Sequence, residues 1–176
     1  MQEFELLSIS HFLSFSVCLA AIVFIPRAIQ SKPGLEHFSK YLLVVLLVEN
    51  QIRSTYVETF IKGGNLLENL PLHLCDFSAI VIAVFLLTGF RPLFIFAYFW
   101  GIAGAGMSIL TPDSEFAFPH YEYFATMYGH SLILLAVVFS IVNLDQRPYL
   151  RDIPKLIFYS SILLVIMYGI NSVSYT

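Results

Sequence analysis

A histidine, a cysteine and an aspartate lie within four positions of one another in the segment LPLHLCDFSAIVIAV, where a long apolar run begins. They are His73, Cys75 and Asp76. A cysteine thiolate attacks carbonyl carbon once a base has taken its proton. On an ideal helix Cys75 points about 100° away from Asp76, so its base must come from another helix. His130, inside a later apolar segment, is the candidate, and the pair predicts nucleophilic acyl chemistry.

The composition indicates the kind of molecule that must position these groups. The chain has 176 residues, of which 58% are hydrophobic and 12% charged, and its mean hydropathy is +0.79. Soluble domains are usually about 25% charged, so we expect a single integral membrane domain over residues 1–176. The net charge of −3 and the lack of a basic patch argue against nucleic acid as a partner.

Six apolar segments are long enough, at roughly 20 residues, to cross the hydrocarbon core. Helices are expected because a lipid-facing backbone must satisfy its own hydrogen bonds. The sequence therefore predicts an all-α polytopic bundle with spans at Leu7–Ile25, Phe38–Ile61, Leu70–Thr88, Pro92–Leu110, Tyr121–Asn143 and Lys155–Ser172.

Lysine and arginine predict the orientation of this bundle. Seven of them lie in the first, third and fifth connections, whereas the termini and the other connections hold only Lys62. Cytoplasmic loops carry the excess of basic residues, so the N-terminus is expected outside, in a plasma membrane of bacterial type.

With this orientation, the polar residues in and beside the spans gather in the outer half of the bilayer. Charged groups there are costly unless they are paired or face a cavity, so an outward-facing polar pocket is expected. Glu49 and Arg53 are spaced i, i+4 and can neutralise each other, hold the pocket wall or meet a phosphate headgroup. Asp76, Asp113 and His73 are expected to orient the imidazole or stabilise charge.

Other interpretations of the same residues remain open. His73, Asp76, His130 and Glu49 offer metal ligands, but no H-E-x-x-H or Cys-x-x-Cys spacing supports a metal site, and no cofactor is expected. Polar side chains also act as hydrogen-bonding glue between membrane helices. A transporter or a small-molecule or lipid-binding protein with a polar cavity is the alternative to an enzyme, although the inner half offers no polar path.

Several motifs together resemble the YwaF family of bacterial membrane proteins, which is related to transmembrane protein 164 of animals. They are LPLHLCDFSAI, AYFWGIAGAGMSILTPD, FPH and YGHSLILLAVV, in this order along the chain. The resemblance implies a helical bundle, and from the animal relative a lipid acyltransferase that uses a cysteine and a histidine. Cys75 and His130 occupy the matching positions.

From the residues and the resemblance together we expect an acyltransferase or transacylase acting on a phospholipid or lysophospholipid. A hydrolase could use the same pair, Cys75 and His130, because water can replace the acceptor alcohol. The family pattern has a seventh helix that is absent from these six predicted spans. The sequence gives no expectation for the oligomeric state.

Overall fold

The computed structural model describes residues 3–64 and 74–174, of which residues 170–174 are described by their backbone alone. These residues form six helices. They are α1 Ile9–Ile29, α2 Pro33–Tyr56, α3 Leu74–Thr88, α4 Arg91–Leu110, α5 Tyr121–Asn143 and α6 Ile153–Ser174. A π-helix, Val57–Ile61, continues α2, and a π turn, Gly101–Ala105, interrupts α4. The described residues contain no β-strand, so the all-α prediction is confirmed.

The helices begin where side chains can satisfy their first backbone N–H groups. Ser8 accepts a hydrogen bond from the backbone N–H of His11 at the start of α1, at 3.3 Å. Pro33 opens α2, where its missing N–H is no loss. His120 caps α5 by accepting from the backbone N–H of Glu122, also at 3.3 Å. Local sequence therefore fixes these boundaries independently of packing.

Successive helices run in opposite directions, and this gathers the connections at two ends. At one end Asn143 donates to the carbonyl of Pro26, at 3.1 Å. At the other the N–H of Phe4 donates to the carbonyl of Glu115, at 3.0 Å. The first, which we call the basic end, holds Arg27, Lys32, Lys40, Arg91, Arg147, Arg151 and Lys155. The side of the membrane that this end faces stays a prediction.

The core lies among α3, α4 and α5. Ile82, Leu86, Phe94 and Val137 have no exposed surface. By contrast, α1, α2 and α6 present many large apolar side chains outward, as lipid-facing helices do. Among the described residues, α1, α4 and α5 are long and apolar enough to cross a membrane, and α3 is a shorter apolar helix. Six crossings and a single domain therefore remain predictions.

An ion pair at the basic end joins the start of α4 to the start of α6. Arg91 Nη1 and Nη2 donate to the two carboxylate oxygens of Asp152, at 3.1 and 2.7 Å. Nη2 also donates to the carbonyl of Arg147, at 3.0 Å, and Asp152 accepts from the N–H of Tyr149, at 2.9 Å. The hydrogen bonds from Arg91 hold the pKa of Asp152 below its ordinary value.

Replacing Asp152 by asparagine should lower the melting temperature in detergent by about 2–4 °C at pH 7. Because the folded-state pKa of Asp152 is depressed, the ion pair stabilises the fold above the ordinary aspartate value of 3.8. Its contribution is lost as pH falls through the folded pKa, so the two melting curves should converge below pH 3.8. The control is Asp145→Asn, because Asp145 is 93% exposed and 3.7 Å from Arg147. Equal effects of the two variants would contradict a specific role for Asp152.

Candidate functional site

A polar cavity of about 300 Å³ lies between α2, α3 and α5, toward the end opposite the basic end. Its wall includes five residues that the sequence singles out, namely Arg53, Cys75, Asp76, Asp113 and His130. Three helices and the connection before α5 thus contribute to one site, although the residues are far apart in sequence.

Cys75 lies in the first turn of α3, half-buried, with its thiol against the π turn of α4. A Cβ atom added to Gly104 would lie only 3.2 Å from Cys75 Sγ, so the missing side chain makes room for the sulfur. Ser108 lies close to the thiol, and its hydroxyl donates to the carbonyl of Gly104, at 3.0 Å. The small residues Gly104 and Ser108 therefore leave space for the thiol between α3 and α4.

His130 is held by one ring nitrogen, which determines where its proton lies. Nδ1 is 2.7 Å from the carbonyl oxygen of Thr126, and a carbonyl oxygen only accepts. The neutral imidazole therefore carries its proton on Nδ1 and keeps its lone pair on Nε2. The backbone carbonyl, rather than a carboxylate, is the partner of Nδ1. Chemically, Nε2 can act as a base.

Asp76 links α2 to α3 at the same cavity. Its Oδ1 accepts a hydrogen bond from Gln51 Nε2, at 3.0 Å. Asp76 also lies close enough to interact electrostatically with both Cys75 and His130. A negative charge at this position favours a cation nearby, such as an imidazolium formed during proton transfer.

Arg53 is the centre of a network that joins α2 to α5. Its guanidinium donates to Glu49 Oε1 at 3.1 Å, to the hydroxyl of Tyr121 at 2.6 Å and to the amide oxygen of Asn50. The guanidinium carbon lies 5.8 Å from the ring centres of both Tyr121 and Tyr128. Glu49 is 47% exposed and neutralises Arg53 from outside the cavity wall.

Ion pairs also border the cavity. Lys62 Nζ lies 2.6 Å from Glu122 and 3.0 Å from Glu58. The hydrogen bond to Glu122, and to a smaller extent the one to Glu58, raises the pKa of Lys62 above its ordinary value. Asp113, also on the cavity wall, is exposed. The wall thus carries charges of both signs.

Of the seven predicted site residues, His73 lies outside the described residues, and Glu49 reaches the cavity only through Arg53. Within the described ranges, no group of three or more histidine, cysteine or acidic side chains is placed to hold a metal ion. Sequence reasoning missed Gln51, Thr126 and the Lys62 ion pairs. The i, i+3 spacing of Asn50 and Arg53 was a usable signal, whereas nothing in the sequence marks the carbonyl of Thr126.

Replacing Gly129 by alanine should destabilise the protein by about 1–2 kcal/mol. The new Cβ would lie 2.8 Å from Asn50 Nδ2, so the amide must move and its bond to Arg53 must weaken. The matched control is Gly106→Ala, because a Cβ at Gly106 meets nothing within 4 Å. Thermal unfolding in detergent measures both, and equal stability of the two variants would show that the close approach at Gly129 is unimportant.

The model of the TMEM164 family matches residues 4–176, nearly the whole chain. No curated protein and no solved structure matches the chain significantly. The family match confirms the resemblance inferred from the motifs around Cys75 and His130. The family match and the apolar helices of the chain together show that it is an integral membrane protein and belongs to the TMEM164 family.

Proposed function

We propose that this protein is a membrane-embedded lipid acyltransferase or transacylase in which Cys75 carries the acyl group. One observation carries the proposal. Cys75 and His130 line the same polar cavity, and the neutral His130 has its lone pair on Nε2. A nucleophile and a base that share a polar cavity inside an apolar bundle suit an ester substrate that reaches the site from the bilayer.

In the first half-reaction, the thiol proton of Cys75 moves to His130 Nε2 and the sulfur attacks the ester carbonyl of a phospholipid. The carbon–sulfur bond forms, the ester carbon–oxygen bond breaks, and the leaving alcohol takes the proton from His130. In the second, the hydroxyl of a lysophospholipid gives its proton to His130 and attacks the thioester. The new ester forms, the carbon–sulfur bond breaks, and His130 returns the proton to the sulfur. No soluble cofactor is needed.

The surrounding residues have supporting roles in this scheme. Asp76 stabilises the imidazolium. Arg53 binds the phosphate headgroup, and Glu49 partly neutralises the charge of Arg53. Asp113 and His73 are assigned to orientation or charge stabilisation. A hydrolase differs only in that water replaces the acceptor alcohol. The proposal places the cavity on the outer side of a plasma membrane of bacterial type.

Labelling with iodoacetamide at neutral pH should modify Cys75 about tenfold faster than Cys18, because among the described residues a histidine lines the cavity of Cys75 and none lines that of Cys18. The chain provides its own control, since both cysteines are free and partly buried. Mass spectrometry of wild type, Cys75→Ser and Cys18→Ser separates the two rates. Equal and slow labelling of both would favour the rival function, a binding or transport protein without a covalent step.

His130→Ala should lower acyl transfer between fluorescent phospholipid and lysophospholipid in vesicles by about 10²–10⁴-fold, as expected for loss of a general base. The protein should remain folded and monodisperse in detergent. His37→Ala is the control, because His37 is exposed and packs edge to face against Tyr41, near the other end of α2 from the cavity. If His130→Ala instead unfolds the protein, the histidine is mainly structural. If folded His130→Ala retains full activity, the proposed base is wrong.

A further inference from the structure

A second cavity, separate from the polar one, lies between α4 and α6. This groove has a volume of about 840 Å³, and none of its lining residues belongs to the polar cavity. Aromatic and aliphatic side chains line most of it, among them Phe77, Phe96, Trp100, Tyr159 and Leu163. Phe96 and Tyr159 bring the two helices together, with ring centres 6.1 Å apart.

The length of the groove matches one leaflet of a bilayer. On α4 it extends from Arg91 to Trp100, and on α6 from Lys155 to Ile166. At 1.5 Å per residue these stretches are about 14 and 17 Å long. Half of a hydrocarbon core of about 30 Å is about 15 Å. The groove therefore has the length that one acyl chain occupies in a single leaflet.

The charge of the groove is confined to one end. Arg91, Asp152 and Lys155 line the groove at the basic end. Asp152 neutralises Arg91 through two hydrogen bonds. Lys155 is exposed and has no ion-pair partner among the described residues. The lining of this end therefore keeps one net positive charge.

We propose that this groove binds an anionic phospholipid, with one acyl chain along α4 and α6 and its phosphate beside Lys155. The charge at one end, the apolar walls and the length of one leaflet together fit this class of ligand. A zwitterionic lipid has the same kind of acyl chain, but its headgroup has no net charge for Lys155 to attract. The site needs neither Cys75 nor His130 and is thus independent of the proposed function.

The test uses the full chain in nanodiscs of equal parts phosphatidylglycerol and phosphatidylcholine, with retained lipid identified by native mass spectrometry. Wild type should retain phosphatidylglycerol preferentially, and Lys155→Gln should lower this preference about fivefold. Lys32→Gln is the matched control, because Lys32 is exposed at the same end and donates to the carbonyl of Ala28, at 2.8 Å. Equal retention of the two lipids by wild type, or equal loss in the two variants, overturns the proposal.

Filling the groove tests its role directly. Leu163→Trp should reduce retention of the bound lipid at least about fivefold while the melting temperature stays near that of wild type. Ile166→Trp, three positions along the same wall, takes its place if Leu163→Trp fails to fold. Unchanged lipid retention in a folded variant overturns the proposal. So does a loss of oligomers without a change in lipid, which would make the groove a contact between copies of the chain.

Discussion

A guanidinium in an apolar helical bundle needs partners that neutralise it, and the partners of Arg53 hold together the helices that form the polar cavity. In a membrane-spanning helix, as α2 is predicted to be, an unpaired charge costs several kcal/mol. Arg53 finds its partners on its own helix, in Glu49 and Asn50, and on α5, in Tyr121. Satisfying one charge therefore fixes the approach of α2 to α5. That approach is possible because Gly129 leaves room for the amide of Asn50.

The helices of this fold were largely predictable, because long apolar blocks in a membrane protein have few alternatives. The predicted span Tyr121–Asn143 agrees with α5, and the predicted Pro92–Leu110 differs from α4 by one residue. The start of α2 was placed five residues late, since Pro33 begins a polar first turn that hydropathy does not detect. The π turn in α4 was not foreseen, because it depends on backbone hydrogen bonding rather than on composition.

The candidate site was predictable in its position along the bundle and unpredictable in its detail. The cost of burying charge already gathered Cys75, Asp76 and His130 toward one end. The rotation of each helix about its axis depends on packing, so the bond from Gln51 to Asp76 emerges only in three dimensions. The bond from His130 to Thr126 lies within α5 and depends on the side-chain rotamer of His130. The family match strengthens the motif-based inference but does not assign a reaction. Acyl transfer remains the interpretation to be tested.

The π turn at Gly101–Ala105 sets the rotation of the second half of α4 about its axis. A π turn holds about one more residue than an α turn, so everything beyond it is rotated by about 100° relative to an uninterrupted α-helix. That offset sets which face of α4 carries Ser108, which lies close to Cys75. Deleting one residue within the turn would remove the extra residue and the offset together, so Ser108 would keep its position, whereas a deletion between the turn and Ser108 would rotate its hydroxyl by about 100°. Homologous chains should therefore tolerate the loss of one residue inside this turn more readily than the loss of one between the turn and Ser108.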